Sequence, residues 1–215
     1  MKRSLFFSLL AILYVFPLAA QAPQWWSDRS VINPQASSND FAPVNQGQLK
    51  YLATQAYIEL QENLPGGGGA DVQRLTSAWM LGSGNDFLPV NLGQLKNVAK
   101  PFYDRLIAVG FTDDYPWESS ANPPADFALA NIGQVKNLFS FDITFSSDSD
   151  PLPDWWRLHH FGTLDVSGDD PAPGDPTLML VEAYELGRDP NSKAVKEESF
   201  GSSLVALEVY TNLRN

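Results

Sequence analysis

Three copies of one stretch of sequence decide the fold: DFAPVNQGQLK at 40–50, DFLPVNLGQLK at 86–96 and DFALANIGQVK at 126–136. Asp, Phe, Asn, Gly, Gln and Lys stand at the same offsets in each copy. The copies begin at residues 40, 86 and 126, so the intervals between them are 46 and 40 residues. Chance does not reproduce so many positions three times, and the sequence therefore predicts an internal repeat.

Each copy has the pattern of a helix N-terminus. The recurring Asn is a good N-cap residue, and a Gln three residues later completes a capping box by reaching back to the cap. An apolar residue just before the cap and another four residues after it, Val44 and Leu49 in the first copy, form a hydrophobic staple. Apolar residues then follow at helical spacing in all three copies, so each copy predicts an amphipathic helix.

The predicted fold is mainly α. Three short helix-plus-loop repeats near residues 25–65, 71–110 and 112–141 make a repeat domain over 23–141. A small acidic loop and helix segment follows over 142–192, and a tail with a short C-terminal strand covers 193–215.

Several details of the repeat domain are also predicted. A Trp precedes each copy, and each loop is expected to lay its Trp and its Phe against neighbouring helices. The glycine run at 66–69 predicts a flexible joint after the first helix. Pro101 predicts a kink or a restart in the second helix. The three tryptophans are Trp26, Trp79 and Trp117.

The N-terminus has the pattern of a secretory signal peptide over residues 1–22. Two basic residues precede an apolar run over 5–18, and small residues follow, with cleavage expected after Ala20 or Ala22. The apolar run is shorter than the ~20 residues that a transmembrane helix needs. We therefore expect export to the periplasm, the cell surface or the medium, with no membrane-spanning segment after removal of the signal.

Composition and motifs exclude several functions. The 215 residues carry 14 Lys and Arg against 25 Asp and Glu, and a net charge of −11 argues against nucleic acid as a partner. The absence of cysteine excludes thiol nucleophiles, thiolate metal sites and disulfides. The sequence contains no HExxH, GxSxG or phosphate-binding loop. No catalytic residue and no organic cofactor are predicted, and the protein is expected not to be an enzyme.

The acidic segment predicts two short helices, near residues 153–161 and 177–186, each ended by a glycine. In the tail, apolar residues alternate with others over 205–210, which predicts a strand. We expect this strand to pair with residues 141–145, where apolar residues also alternate.

The acidic segment resembles the calcium-binding thrombospondin type 3-like repeats of bacterial secreted proteins, which are related to EF-hand loops. The matching residues are LPDWW at 152–156, Phe161-Gly162, Tyr184 and GRDP at 187–190. The DF…NxGQ(L/V)K units resemble a module that precedes such segments in large bacterial surface proteins. This resemblance implies an exported surface protein and a calcium segment, and it implies no catalytic chemistry.

The calcium frame is incomplete in this sequence. An EF-hand loop takes oxygens at positions 1, 3, 5 and 9, a Gly at 6 and a bidentate Glu at 12. Pro151 stands at position 6 and Arg157 at position 12, so we predict a degenerate segment that binds calcium at most weakly, at about 10⁻⁴–10⁻³ M. The first loop offers Ser146 at position 1, and the candidate metal ligands are Asp148, Asp150, Asp154, Asp169, Asp170 and Asp175.

The recurring lysines, Lys50, Lys96 and Lys136, have two interpretations. They are either a ring of equivalent ligand-binding residues or surface contacts inside each repeat, made with the Asp ten residues earlier. The leading functional hypothesis is a non-enzymatic exported structural or interaction module.

The alternative is a binder of cell-wall polymer, because three tandem helical units resemble S-layer homology domains. Gln-Leu-Lys stands where that family has Thr-Arg. A weak calcium-binding protein is a further alternative. The expected partners are an envelope polymer or another surface protein.

Overall fold

A computed structural model describes residues 22–31, 39–82, 84–117 and 126–193. The described residues form seven α-helices and one π-helix, which confirms the mainly α class. In chain order these are α1 (Gln24–Asp28), α2 (Gln46–Asn63), α3 (Gly69–Leu75), the π-helix (Thr76–Met80), α4 (Leu92–Ala108), α5 (Ile132–Leu138), α6 (Asp154–Phe161) and α7 (Leu180–Glu185).

Extended structure in the described part of the chain is limited to isolated antiparallel bridges. Residues 205–210, the predicted strand, and residues 1–21, which belong to the predicted signal peptide, lie outside the described residues. Residues 141–145, the expected partner of that strand, form a turn and irregular backbone. The structure therefore does not confirm a strand in this segment, and its pairing with 205–210 stays a prediction.

The chain divides into two compact units. The first, called the ring unit here, takes its described residues from 1–56, 75–99 and 119–142. The second unit takes them from 57–74, 100–118 and 143–215. Helices α2 and α4 each contribute residues to both units.

The predicted helix starts are confirmed, since α2, α4 and α5 each begin directly after the recurring Asn. The Asn side-chain oxygen accepts from the Gln backbone N–H at 2.9, 2.8 and 2.9 Å. The Gln side-chain oxygen accepts from the Asn N–H at 3.0, 3.0 and 2.9 Å. The staple residues Val44 and Leu49 and their equivalents in the other two repeats are all buried.

Helix α4 runs without interruption through Pro101, so the helix does not restart there. A proline inside a helix costs about 3 kcal/mol because one bond is lost and the ring crowds the preceding turn. Val98, Ala99, Phe102 and Leu106 flank the proline and are all buried. Burial contributes roughly 1.5–3 kcal/mol for each large apolar side chain, which offsets the proline's cost.

The glycine run, predicted as a flexible joint, forms a turn to which Arg105 of α4 donates hydrogen bonds. Arg105 Nε donates to the Gly67 carbonyl at 2.8 Å, and its terminal nitrogen donates to the Pro65 carbonyl. Gly67 is buried and has φ at +68°. Glycine adopts this left-handed conformation readily because it has no Cβ atom to clash with the backbone. The turn leads directly into α3, which the sequence did not predict.

A small apolar cluster forms the core of the second unit. Its buried members are Leu152, Trp156, Ala172 and Leu180. Helix α6 ends at Gly162, which is left-handed at φ +68°, as predicted. Helix α7 is shorter than predicted.

The late start of α7 has a local cause. Thr177 donates its hydroxyl to Asp175 Oδ1 at 2.6 Å, and its backbone N–H donates to the same oxygen at 3.2 Å. These bonds hold residues 175–177 in a turn, because Asx turns compete with helical bonds. The helix therefore begins only at Leu180.

Candidate functional site

The three repeats close into a ring. The residue before each capping Asn donates its backbone N–H to the equivalent carbonyl of another repeat. Val44 donates to Ala130 at 3.0 Å, Ala130 donates to Val90 at 2.9 Å, and Val90 donates to Val44 at 3.0 Å. All three residues are buried. The bonds return to their starting residue, so no repeat is left at an open end.

The helix N-termini repeat the same cyclic order. In the first repeat, the Gln46 and Gly47 N–H groups donate to the Leu88 and Asp86 carbonyls of the second at 2.9 and 2.8 Å. The second repeat bonds to the third, and the third bonds to the first, in the same way. With the capping box, these bonds satisfy all four N–H groups that a helix start leaves without intrahelical partners.

The recurring Lys and Asp side chains pair around this ring. Lys50 pairs with Asp86 at 2.8 Å, Lys96 pairs with Asp126 at 2.8 Å, and Lys136 pairs with Asp40 at 2.7 Å. The structure therefore brings the three lysines to equivalent positions, each already bound to a carboxylate. The expectation that each Lys contacts the Asp of its own repeat is wrong.

The recurring Gly lets the repeats approach each other. A Cβ atom on Gly47 would lie 3.0 Å from Asp86 Cβ and 3.3 Å from the Asp86 carbonyl oxygen. A Cβ on Gly133 would lie 3.1 Å from Asp40 Cβ. A side chain at this position would displace the Asp loop of the next repeat.

The recurring Phe is different, because it faces solvent. Phe41, Phe87 and Phe127 are 90%, 94% and 86% exposed. The expectation that these rings pack against neighbouring helices is wrong. The other recurring residues cap a helix, allow a close approach or form an ion pair between repeats. The three phenylalanines are exposed and so do not contribute to the buried core.

The three Phe side chains occupy equivalent positions in the three repeats, each directly after the Asp that pairs with a Lys of another repeat. We call the three exposed rings, those of Phe41, Phe87 and Phe127, together the Phe face. Leu88 and Leu129, both about half exposed, stand in the same loops. Apolar area of this kind marks interaction sites in soluble proteins.

The junction between the first and second repeats departs from the threefold pattern. The Lys50 side chain is 9% exposed there, against 31% for Lys96 and 24% for Lys136. Lys50 Nζ also donates to the Gly82 carbonyl at 2.9 Å and lies 5.6 Å from the centre of the Trp79 ring. The extra structure at this junction comes from the longer first interval, which contains the π-helix.

The three tryptophans have different surroundings, although each precedes one copy of the repeat in the sequence. Trp26 is buried and donates its indole N–H to the Phe139 carbonyl at 3.0 Å. Trp79 is half-buried beside Lys50. Trp117 lies in the second unit, where its ring is 5.4 Å from that of Tyr103.

In the second unit, Arg157 lies at the centre of the predicted calcium loop. Its side chain is 1% exposed. The guanidinium donates to both oxygens of Asp148 at 2.8 Å, to Asp154 at 2.6 Å and to the Leu164 carbonyl at 3.0 Å. It also donates to the Ser146 hydroxyl at 3.3 Å. The residues at positions 1, 3 and 9 of the loop therefore surround a positive charge that the chain itself supplies.

The charges of this cluster reinforce each other. Hydrogen bonds from Arg157 hold the pKa of the Asp148 carboxyl well below its usual range. The same bonds to Asp148, together with those to Asp154, raise the pKa of Arg157.

The remaining candidate metal ligands do not join this cluster. Asp150 accepts from Ser167 and Gly168, Asp170 accepts from the Ser167 N–H, and Asp175 accepts from Thr177. Asp169 is exposed. Within the described ranges, no group of three or more His, Asp or Glu side chains is arranged to hold a metal ion. A calcium ion does not fit the first loop while the guanidinium occupies its centre.

Comparison of the chain with protein-family models, curated proteins and solved structures gave no significant match. Among the described residues, no helix combines the length and apolar character needed to cross a membrane.

Proposed function

We propose that this protein is a non-enzymatic, exported interaction module that binds its partner through the Phe face. The observation that carries the proposal is the exposure of Phe41, Phe87 and Phe127, at 86–94%, on a scaffold bonded around a ring. A large apolar side chain that recurs three times without contributing to the core is best explained by a partner outside the chain.

The partner's chemistry follows from charge. The chain carries −11, and removal of Lys2 and Arg3 with the signal peptide leaves 12 basic against 25 acidic residues, a charge of −13. An anionic lipid surface would repel such a chain. The partner we propose is a protein of the cell envelope whose apolar pockets receive the Phe rings and are bordered by Lys and Arg.

A matched pair of variants tests the proposal. The triple change Phe41→Ser, Phe87→Ser and Phe127→Ser removes the Phe face and should leave the fold intact. The control, Leu158→Ser, changes a half-exposed leucine in the second unit. Immobilised wild-type protein should retain an envelope protein that the triple variant loses and the control keeps, with retention weakening as salt rises.

Three results would contradict the proposal. Equal retention by the wild type and the triple variant would show that the Phe face does not bind the partner. Phe-dependent binding to lipid vesicles, in place of protein, would assign a different partner. Hydrolysis of glycans or peptides by the purified protein at ordinary enzyme rates would overturn the non-enzymatic function.

The second candidate function is binding of a cell-wall polymer. A cavity of about 350 Å³ beside Trp79 favours it. The set of three lysines at equivalent positions is weaker support, because Lys50, Lys96 and Lys136 are bound to Asp carboxylates. Co-sedimentation with purified envelope polymer tests this function. Changing all three lysines to Ala should weaken co-sedimentation only because the variant protein is less stable.

For the second unit, we propose that calcium is not required and that tight calcium binding has been lost. The bonds of Arg157 to Asp148 and Asp154 support this, because a divalent cation would have to displace a guanidinium held by both carboxylates. Calorimetry that finds micromolar calcium affinity, abolished by Asp148→Ala, would contradict the proposal.

A further inference from the structure

The cavity beside Trp79 lies within the ring unit, at the junction of the first two repeats. Its volume of about 350 Å³ falls within the range of about 300–1,000 Å³ typical of small-molecule sites. The walls combine apolar side chains, an indole ring and three amide side chains. The lining includes Leu49, Leu75, Trp79, Gln46, Gln94 and Asn97.

This cavity lies where the threefold pattern is broken. The π-helix Thr76–Met80 carries Trp79 into the lining. π-Helical turns are rare and are often found at functional sites. The ring scaffold does not require the π-helix, since the described residues of the other two junctions contain none. Such a departure from a regular repeat is a place where a binding function is expected.

The position of the Trp79 ring is supported by its neighbours. Lys50 Nζ lies 5.6 Å from the ring centre and is itself held by Asp86 at 2.8 Å and the Gly82 carbonyl at 2.9 Å. A cation over an indole is favourable by roughly 0.5–2 kcal/mol. The ring is therefore held in place while remaining half exposed to the cavity.

The amides supply hydrogen bonds. Gln94 uses its Oε1 in the capping box with Asn91, so its two amide N–H groups are the part able to bind a ligand. Gln46 and Asn97 stand in the same lining, and Asn97 is exposed. No charged side chain belongs to the lining. The exposed surface of the lining is mainly apolar, with no charged group, so the cavity suits a neutral ligand with an extended apolar face and a small number of hydroxyl groups.

We propose that this cavity binds a neutral saccharide unit, with the C–H face of the sugar against Trp79 and its hydroxyls bonded to Gln94 and Asn97. The proposal rests on the second candidate function, polymer binding, and identifies the recognised part of the polymer. It is independent of the Phe face.

The test uses the whole purified protein with chitotetraose, cellotetraose and maltotetraose as neutral probes and tetragalacturonate as the anionic control. Calorimetry should show binding of at least one neutral probe, and Trp79→Ala should weaken it at least tenfold. Because Trp79→Ala could also disturb packing, Asn97→Ala serves as a second variant at an exposed position and should weaken binding several-fold. The matched control Trp117→Ala should bind as the wild type does.

Different results would contradict the saccharide site and polymer binding. The proposal is wrong if none of the neutral probes binds at millimolar concentration, if tetragalacturonate binds better than all of them, or if both cavity variants bind as the wild type does. Sedimentation with envelope polymer that Trp79→Ala leaves unchanged would contradict the saccharide site alone. Absence of sedimentation by the wild type would contradict polymer binding itself.

Discussion

At the scale of single residues, the guanidinium of Arg157 gives the acidic loop a positive charge of its own. Arg157→Met would leave Asp148 and Asp154 without their cation. We expect a loss of about 2–3 kcal/mol in the free energy of unfolding, less than the ~3–5 kcal/mol of a fully buried pair because Asp148 is half exposed. Arg157→Lys should lower the free energy of unfolding by less, because lysine keeps the positive charge. Some loss should remain, because lysine lacks the planar set of donors that binds both oxygens of Asp148. Urea unfolding of the three proteins measures this.

Calcium gives the same cluster a second test. The melting temperature of the wild type should be the same in chelator and in calcium at about 10 μM, where a site of about 10⁻⁴–10⁻³ M stays almost empty, because Arg157 already occupies the centre of the loop. A rise of several degrees with calcium in the wild type would show that the ion still binds the folded protein.

The pKa of Asp148 predicts how stability depends on pH. Its folded pKa lies well below the unfolded value of about 3.9. Its contribution is therefore complete above pH ~4 and is lost as the pH falls toward the folded pKa. Stability of the wild type should fall below pH 4, and Asp148→Asn should reduce that fall. The control Asp71→Asn, at an exposed carboxylate, should retain the wild-type slope.

At the scale of elements, each helix N-terminus is bonded to the Asp loop of the next repeat, and the recurring Gly allows this approach. Gly47→Ala should destabilise the protein by about 1–2 kcal/mol, because its Cβ would meet Asp86 at 3.0 Å. Helix propensity alone predicts the opposite, a gain of up to about 1 kcal/mol. Gly84→Ala is the control, since nothing lies within 4 Å of its added Cβ. A stabilised Gly47→Ala variant would contradict the packing.

The helix starts could be predicted from sequence because capping boxes and apolar spacing are local patterns. The pairing of Lys50 with Asp86 could not, because the same Lys has an Asp ten residues earlier and the local pattern does not distinguish the two. Helix α3 and the π-helix were missed because the glycine run before them indicates a joint, whereas the contacts that fix it come from Arg105, far along the chain. The exposure of Phe41 could not be predicted either, since an aromatic residue before a helix usually joins a core.

At the scale of the whole molecule, ring closure depends on contacts between the first and third repeats. Lys136 and Asp40 are separated by 96 positions and pair at 2.7 Å. The Gly133 N–H donates to the Asp40 carbonyl at 2.9 Å. These contacts join the loop that carries Phe41 to the third repeat, so the relative placement of the three Phe loops, and with it the proposed interaction surface, depends on closure of the ring.

An engineered disulfide tests ring closure most directly, because the chain contains no cysteine. The double variant Asp40→Cys with Gly133→Cys places two Cβ atoms 3.1 Å apart, slightly closer than the ~3.8 Å mean of a disulfide. The control, Asp40→Cys with Gly47→Cys, joins positions within one repeat. Under mild oxidation, non-reducing electrophoresis and mass spectrometry should show an intrachain bond in the first variant and free thiols in the control. Free thiols in the first variant, or a bond in the control, would contradict the closed ring.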